Sequence, residues 1–404
     1  MTEQLPQLLA PCRLWAKCLF ECALAIIIGS MGFVSANAFA KAPLEVDCRA
    51  DDGRCPELII AGDPPAEAPD YGLAPIRGYG DPSLRQDRQT GALWLSYSWV
   101  STLVAPGSKP GKPIIDIGVG IHFARSGDGG RSFQFIRKIW TSDPEINEGT
   151  DGYSEHEVST ISRAGAGWAV LDLRYFNPRG NGNDFKADSF HFEFVEDADL
   201  ARLSTGATQR LGGPLTAPIW RPFIDLSAVS GLGMACPVWT EPSLFEGRGV
   251  LYLLTQCRTP RNPADGFLGI FARRAGHWTW VDRLTIASDA TALGGNELTQ
   301  ADIARARDGS ILLIVIPNIV AGSREHHLGC AVLSLASLDP PVLRRDDAKA
   351  PIVRARITSS DSVQNGPGAC AYDPASATGV LIVRRALGPA RGVVFSIHST
   401  GLHP

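Results

Sequence analysis

The chain has 404 residues, with 38 Lys and Arg against 42 Asp and Glu and a formal net charge of −4 at pH 7. No basic stripe or polybasic patch breaks that balance, which argues against nucleic acid or a membrane surface as a partner. No glycine-rich phosphate loop, dinucleotide-binding glycine pattern or G-x-S-x-G elbow occurs, so neither a nucleotide cofactor nor a serine triad is expected.

The first element is an export signal. Arg13 and Lys17 form its basic start, Leu19 to Val34 is mostly apolar, and Ala38-Phe39-Ala40 closes it as an A-x-A cleavage site. Residues 1–40 are therefore expected as a signal peptide and 41–404 as the mature domain, periplasmic or secreted, with no membrane association after cleavage. Cys12, Cys18 and Cys22 leave with the signal, and the even number of cysteines that remains suggests disulfides. Cys48 and Cys55 enclose a short polar loop, Cys236 and Cys257 flank an expected hairpin, and Cys330 and Cys370 are left over. No C-x-x-C spacing occurs, and no metal site is expected.

Beyond residue 41 short apolar runs alternate with Gly- and Pro-containing turns, which predicts an all-β domain. A weak internal repeat organises it. Each unit opens on a short strand, crosses a polar turn and enters an aliphatic strand. Asp81–Leu84 leads to Ala92–Tyr97, Glu157–Ile161 to Gly167–Leu171, and Glu241–Phe245 to Val250–Leu254. Asp302–Ala306 leads to Ile311–Val315, and Gly368–Tyr372 to Val380–Val383. Third strands follow at His122–Arg125, Phe190–Phe194, Gly269–Arg273, Cys330–Ser334 and Gly392–Ile397. Fourth strands are visible near Phe133–Ile139, Trp278–Leu284 and Val342–Arg345. Three to four antiparallel strands per unit is a propeller blade. A single β-propeller of five blades is expected, with residues 56–62 completing the last. Six blades is the alternative, if residues 177–235 hold another.

Ser126-Gly127-Asp128-Gly129-Gly130-Arg131-Ser132-Phe133 lies between two expected strands. Its chemistry is that of a hairpin turn: Asp128 bonds back to nearby backbone N–H groups, glycines take positive φ, and Phe133 pins the turn to the core. The pattern resembles the Asp box, or BNR repeat, of sialidase-superfamily propellers, and implies architecture rather than catalysis. No nucleophilic Tyr with a partner Glu is readable, so sialidase activity itself is not expected. Arg77, four residues before Asp81, is a candidate substrate contact.

The innermost strands of a propeller line its channel, so Asp81, Glu157, Glu241 and Asp302 are expected to converge on one funnel. Clustered carboxylates raise one another's pKa and suit glycoside hydrolysis. Gly80-Asp81-Pro82 and Thr240-Glu241-Pro242 resemble the blade starts of the five-bladed glycosidases, the clan of arabinanases, xylosidases and fructosidases. That resemblance implies Asp81 as base or nucleophile and Glu241 as general acid. It implies Glu157 as the carboxylate that tunes the acid, although the clan normally has Asp there. Tyr153 and Trp239, just ahead of inner strands, are candidate sugar-stacking platforms, whereas Trp94 and Trp168 fit the blade core. His156 and Asp302 are further candidate substrate contacts, and Arg174–Asn183 is expected as a loop over the funnel.

The expected function is a carbohydrate-active protein, a glycoside hydrolase. The alternative is a non-catalytic propeller that binds glycan or protein. No cofactor is implied beyond a structural Ca²⁺ as a third reading of the axial acids. Expression of the precursor in an exporting bacterial host should yield a mature chain starting at Lys41. N-terminal sequencing checks this, and retention of Met1 would mean that the leader stays as an anchor.

Overall fold

Aliphatic strands separated by turns such as Asp308-Gly309 have one low-energy arrangement, the antiparallel hairpin. The computed structural model is built from such hairpins. It describes residues 42–50, 53–63, 76–104, 109, 115–180, 186–216, 221–258, 266–285, 287–321, 324–359, 369–387 and 393–404. The expected signal peptide and residues 181–183 of the expected funnel loop lie outside the described residues.

Ile76–Gln86, Leu93–Val104, Ile115–Ser126 and Ser132–Trp140 pair antiparallel in chain order. Thr150–Ala164, Gly167–Pro178, Lys186–Asp197 and Gln209–Gly212 repeat the pattern, with Asp143–Asn147 on the inner edge and Ile224–Asp225 on the outer. Val238–Gly247, Val250–Arg258, Phe267–Arg274 and His277–Thr285 form the next sheet. Glu297–Arg305, Ile311–Ala321, Cys330–Leu338 and Val353–Thr358 follow, and Leu44–Asp47 adds a parallel outer strand. Cys370–Ala371, Leu381–Leu387 and Val393–Ser399 form the last set. It joins the first sheet through parallel pairing of Val393–Phe395 with Ile76–Gly78.

The leading strands of these sets touch in sequence. Ile76–Gln86 lies against Thr150–Ala164, that strand against Val238–Gly247, and the third against Glu297–Arg305. Cys370–Ala371 contacts both Ile311–Ala321 and Ile76–Gln86, which closes the circle. This is a β-propeller. Between neighbouring sheets the alternate side chains form the core: Leu171, Phe192, Trp239, Leu253 and Phe271 in one layer, and Leu254, Ile270, Leu298, Leu313 and Leu333 in the next. Each such large aliphatic or aromatic group contributes roughly 1.5–3 kcal/mol by leaving water.

All three expected disulfides are present, Cys48–Cys55, Cys236–Cys257 and Cys330–Cys370. The turn at Ser126–Phe133 has the expected chemistry. Asp128 Oδ1 accepts from the N–H groups of Arg131 at 3.0 Å and Ser132 at 3.1 Å, and Asp128 Oδ2 accepts from Ser132 Oγ at 2.6 Å. These bonds, led by the Ser132 hydroxyl, hold the Asp128 carboxyl well below the usual carboxylate range. Phe133 is buried behind the turn.

Three expectations need correction. The outer strand of the fourth set is Val353–Thr358, not the Val342–Arg345 region, where only Pro341–Leu343 pairs as a short side strand. Val353-Arg354-Ala355-Arg356-Ile357-Thr358 alternates apolar and polar, so it can cover one sheet face, whereas Arg344-Arg345-Asp346-Asp347 cannot. Arg174–Pro178 is not loop but the end of the strand Gly167–Pro178. Residues 56–62 add to the last set only in part, because they also bond to the first. Leu58 N donates to Ile397 O and Ser399 N to Pro56 O in the last set, while Ile59–Ala61 pairs with Ser132–Gln134 in the first.

One buried ion pair ties three inner strands together. Arg85 Nη2 meets Asp302 Oδ1 at 2.7 Å and also donates to the carbonyls of Leu244 and Ile303. Removing one partner strands the other charge, so Asp302→Asn should lower stability by about 3–5 kcal/mol. Guanidinium unfolding checks this. Arg85→Met combined with Asp302→Leu should recover part of the loss, because neither charge is then left buried.

Candidate functional site around the propeller axis

Each of the four long inner strands carries one residue more than its neighbour can pair. The register slips between Gly80 and Ser83, Glu157 and Thr160, Thr240 and Ser243, and Thr299 and Asp302. In each bulge two residues face one on the partner strand. The first of the two has positive φ although none is glycine: Asp81 at 42°, Val158 at 51°, Glu241 at 51° and Gln300 at 44°. Left-handed backbone is unfavourable for such residues, above all for β-branched valine. Its recurrence at one structural position marks a site held against strain.

The bulges surround a narrow cavity of about 30 Å³, lined among others by Asp81, Val158, Pro242, Gln300 and Ala369. Asp81 reaches across it, where Gln300 Nε2 donates to Asp81 Oδ1 at 3.1 Å. Burial pushes the Asp81 pKa up, and hydrogen bonds from the Ser98 hydroxyl, the Gln300 amide and the Val158 N–H oppose that. Glu241 occupies the equivalent position on the third inner strand and is half-buried, with Thr240 Oγ1 3.5 Å from its Oε1.

On the second inner strand the bulge position belongs to Val158, and Glu157 precedes it by one residue. Glu157 is half-buried and accepts from the Tyr175 hydroxyl at 3.1 Å. Burial drives the Tyr175 pKa well above its ordinary value, and the charges of Glu157, Glu155 and Asp81 add to this. Of these, Glu157 touches the phenol directly. Glu155 is fully buried and accepts from Val119 N at 2.7 Å and Ser142 Oγ at 2.8 Å.

Asp302 lines the same cavity, but its carboxylate is bonded into the frame. It is equivalent to Ser83, Thr160 and Ser243, the residue after the bulge, and its carboxylate is held by Arg85 and by Ser243 Oγ at 2.6 Å. That position belts the ring: Ser83 Oγ accepts from Ile161 N at 3.2 Å and Thr160 Oγ1 from Leu244 N at 2.9 Å. The Asp302 carboxylate is thus committed to the frame, not to a ligand.

Trp239 is no stacking platform. It is buried among Phe267, Phe271 and Trp280, and its Nε1 donates to Ser227 Oγ at 2.8 Å. Tyr153 is also buried, with the Arg179 guanidinium over its ring. Trp94 and Trp168 are buried in one core layer, where the sequence placed them. Arg77 is half-buried at the seam between the last and first sheets. His156 Nδ1 lies 2.6 Å from Asp172 Oδ2, and its ring stacks on Trp140. Sequence reasoning missed Gln300, Glu155 and Tyr175. The motif Thr299-Gln300-Ala301 could have been found by matching it to Thr240-Glu241-Pro242 rather than by searching for acids. Among the described residues, the cluster whose ligand atoms could hold a metal ion is His156, Asp172 and Glu193.

No protein-family model matches the chain, and no curated protein does. Among solved structures it is similar to a Bacillus subtilis arabinanase at 10% identity, covering 79% of this chain and 92% of that one with a TM-score of 0.42. It is also similar to an exo-1,5-α-L-arabinanase from a bovine ruminal metagenomic library, at 13% identity over 79% of this chain and 91% of that one, TM-score 0.41. A Fusarium graminearum α-L-arabinofuranosidase is 13% identical over 85% of this chain and 86% of that one, TM-score 0.38. Likeness at this level carries no chemistry across, and the chemistry of the site follows from its own residues.

Burial pushes the Glu155 carboxyl up to about 8 from an ordinary 4.5. The folded state then keeps a proton that the unfolded chain releases. Its stabilising contribution is fully present below 4.5 and is lost as pH rises through about 8. Denaturation midpoints should fall between pH 5 and pH 8, and Glu155→Gln should flatten that decline by a few kcal/mol. An unchanged slope in the variant would place the titrating group elsewhere.

Proposed function

We propose that this chain is an exported, periplasmic or secreted, five-bladed β-propeller that hydrolyses glycosidic bonds at its axis. The four sheets and the last hairpin set supply the five blades. Lys186–Asp197, Gln209–Gly212 and Ile224–Asp225 extend the second sheet, which speaks against a sixth blade there. One observation carries the functional reading: two carboxylates, Asp81 and Glu241, occupy equivalent strained bulges on inner strands that surround one cavity, which Asp81 and Pro242 line.

Glu241 is assigned as the general acid that protonates the leaving oxygen. Asp81 is the base that activates water, or the nucleophile that attacks the anomeric carbon. Gln300, Ser98 and the Val158 N–H favour the ionised form of Asp81 against the effect of burial, as either role requires. Gln300 Oε1 is buried without a hydrogen-bond partner among the described residues, so it is positioned to accept from a sugar hydroxyl. Glu157, held by Tyr175, adds negative charge near the site and tunes proton affinity. The substrate class is a neutral carbohydrate, in keeping with the acidic lining, and no nucleotide or membrane is required.

A second reading rests on Val158. It supplies no carboxyl at the second bulge, which favours a propeller that retains a glycan without cleaving it. Turnover decides between the two. On a panel of aryl glycosides and polysaccharides the mature protein should release sugar, and Glu241→Gln should lower kcat by roughly 10²–10⁴-fold with the fold intact by circular dichroism. Asp81→Asn should do the same. Binding without turnover on every substrate would select the second reading, and full activity in both variants would remove these residues from the chemistry.

A further inference from the structure

A second polar cluster lies on the second sheet, beside the bulge at Val158. The inner-strand bulge places Val158 and Ser159 opposite the single residue Asp172. Asp172 in turn pairs with Glu193 on the third strand, and His156 lies diagonally across from it. The ligand atoms of His156, Asp172 and Glu193 all fall within 4.8 Å of one another. The three residues are 4%, 0% and 5% exposed, so this is no loose surface grouping.

The charges in this cluster are unevenly compensated. Arg174 is divided between Glu193 Oε1 at 3.0 Å and Glu145 Oε2 at 3.3 Å, and Arg210 lies 3.5 Å from Glu193 Oε1. Among the described residues Asp172 is contacted by the His156 ring, at 2.6 Å from Oδ2, and Arg174 acts on it through its charge. Its other oxygen, Oδ1, is fully buried without a hydrogen-bond partner among the described residues. A buried carboxylate with a bare oxygen is costly unless a cation neutralises it. Beside it opens a polar groove of about 320 Å³, lined by His156 and Glu193 together with Asp143, Ser154 and Thr208.

We propose that His156, Asp172 and Glu193 form a divalent transition-metal site, with Zn²⁺ as its best-matched ion and water from the groove completing the coordination. One imidazole nitrogen and two carboxylate oxygens are the donor types that Zn²⁺ accepts. Ligand atoms around a tetrahedral ion stand about 3.4 Å apart, given metal–ligand distances of about 2.0–2.2 Å. The His156–Asp172 contact needs only a small opening to reach that spacing. Trp140 stacks on His156 with an interplanar angle of 12°, fixing the ring, and Arg174 orients Glu193 from outside the coordination sphere. The site joins the first three strands of one sheet at the level of the bulge.

The untagged mature protein, freed of metal with a chelator and exchanged into chelator-free buffer, can be titrated with ZnCl₂ by calorimetry and with CoCl₂ by visible absorption. One equivalent of Zn²⁺ should bind in the micromolar range or tighter, and Co²⁺ should give visible d–d bands that Zn²⁺ displaces. Asp172→Asn and, separately, Glu193→Gln should weaken Zn²⁺ binding by about 10–100-fold. Glu241→Gln, at the axis, should bind the metal like the parent. Absence of saturable uptake by the parent protein overturns the proposal, whatever the variants do. Unchanged affinity in a folded Asp172→Asn or Glu193→Gln variant overturns it too. Neither outcome bears on sugar hydrolysis, which involves other residues.

Discussion

One backbone constraint shapes this molecule: an extra residue, with positive φ, at the same point of four successive inner strands. Each non-glycine residue held that way costs on the order of 1–3 kcal/mol. The cost is offset where neighbouring strands clamp the bulge or the residue after it. Ser98 Oγ accepts from Val158 N at 3.1 Å, Ser96 and Ser159 share a hydroxyl pair at 2.7 Å, and Ser243 bonds Asp302. The twist that stores the strain also brings Asp81, Val158 and Gln300 to the lining of the axial cavity. Ring closure and site geometry are two consequences of the same bulge.

Three buried acids near the axis show how environment separates their roles. Asp302 faces a guanidinium and is a fixed anion of the frame. Asp81 faces only neutral donors, so burial and hydrogen bonding compete over its proton. Glu155 also has neutral donors but is fully enclosed, and burial dominates. Identical chemistry in the side chain thus yields a strut, a reactive candidate and a proton store, according to what each carboxyl touches.

Much of the frame was legible in the sequence. Hairpins at Gln89-Thr90-Gly91 and Asp308-Gly309, the cysteine pairs and the turn around Asp128 all depend on chemistry within a few residues or on simple spacing. Asp81 and Glu241 stood out because a proline follows each of them. The rest of the site was not legible by the same route. Aligning repeats on their acids set Glu157 one residue early and Asp302 two residues late relative to the bulge. A bulge is defined by pairing with another strand, and no residue type announces it. Trp239 looked like a platform because it precedes Glu241, yet alternation turns it into the inter-sheet core.

Local sequence determined the β-structure, its turns and two acids at strand starts, since periodicity and turn chemistry act between near neighbours. Only the tertiary structure decided which residues share the axis. It substituted Val158 and Gln300 for the expected acids, committed Asp302 to Arg85, and placed His156 with Asp172 and Glu193. Those groupings join residues as far apart in the chain as Arg85 and Asp302, 217 positions, and only the packing of separate sheets around the axis brings such residues within bonding distance. A one-residue slip in a strand of period two reverses which face a side chain occupies, so the ring had to form before its site could be read.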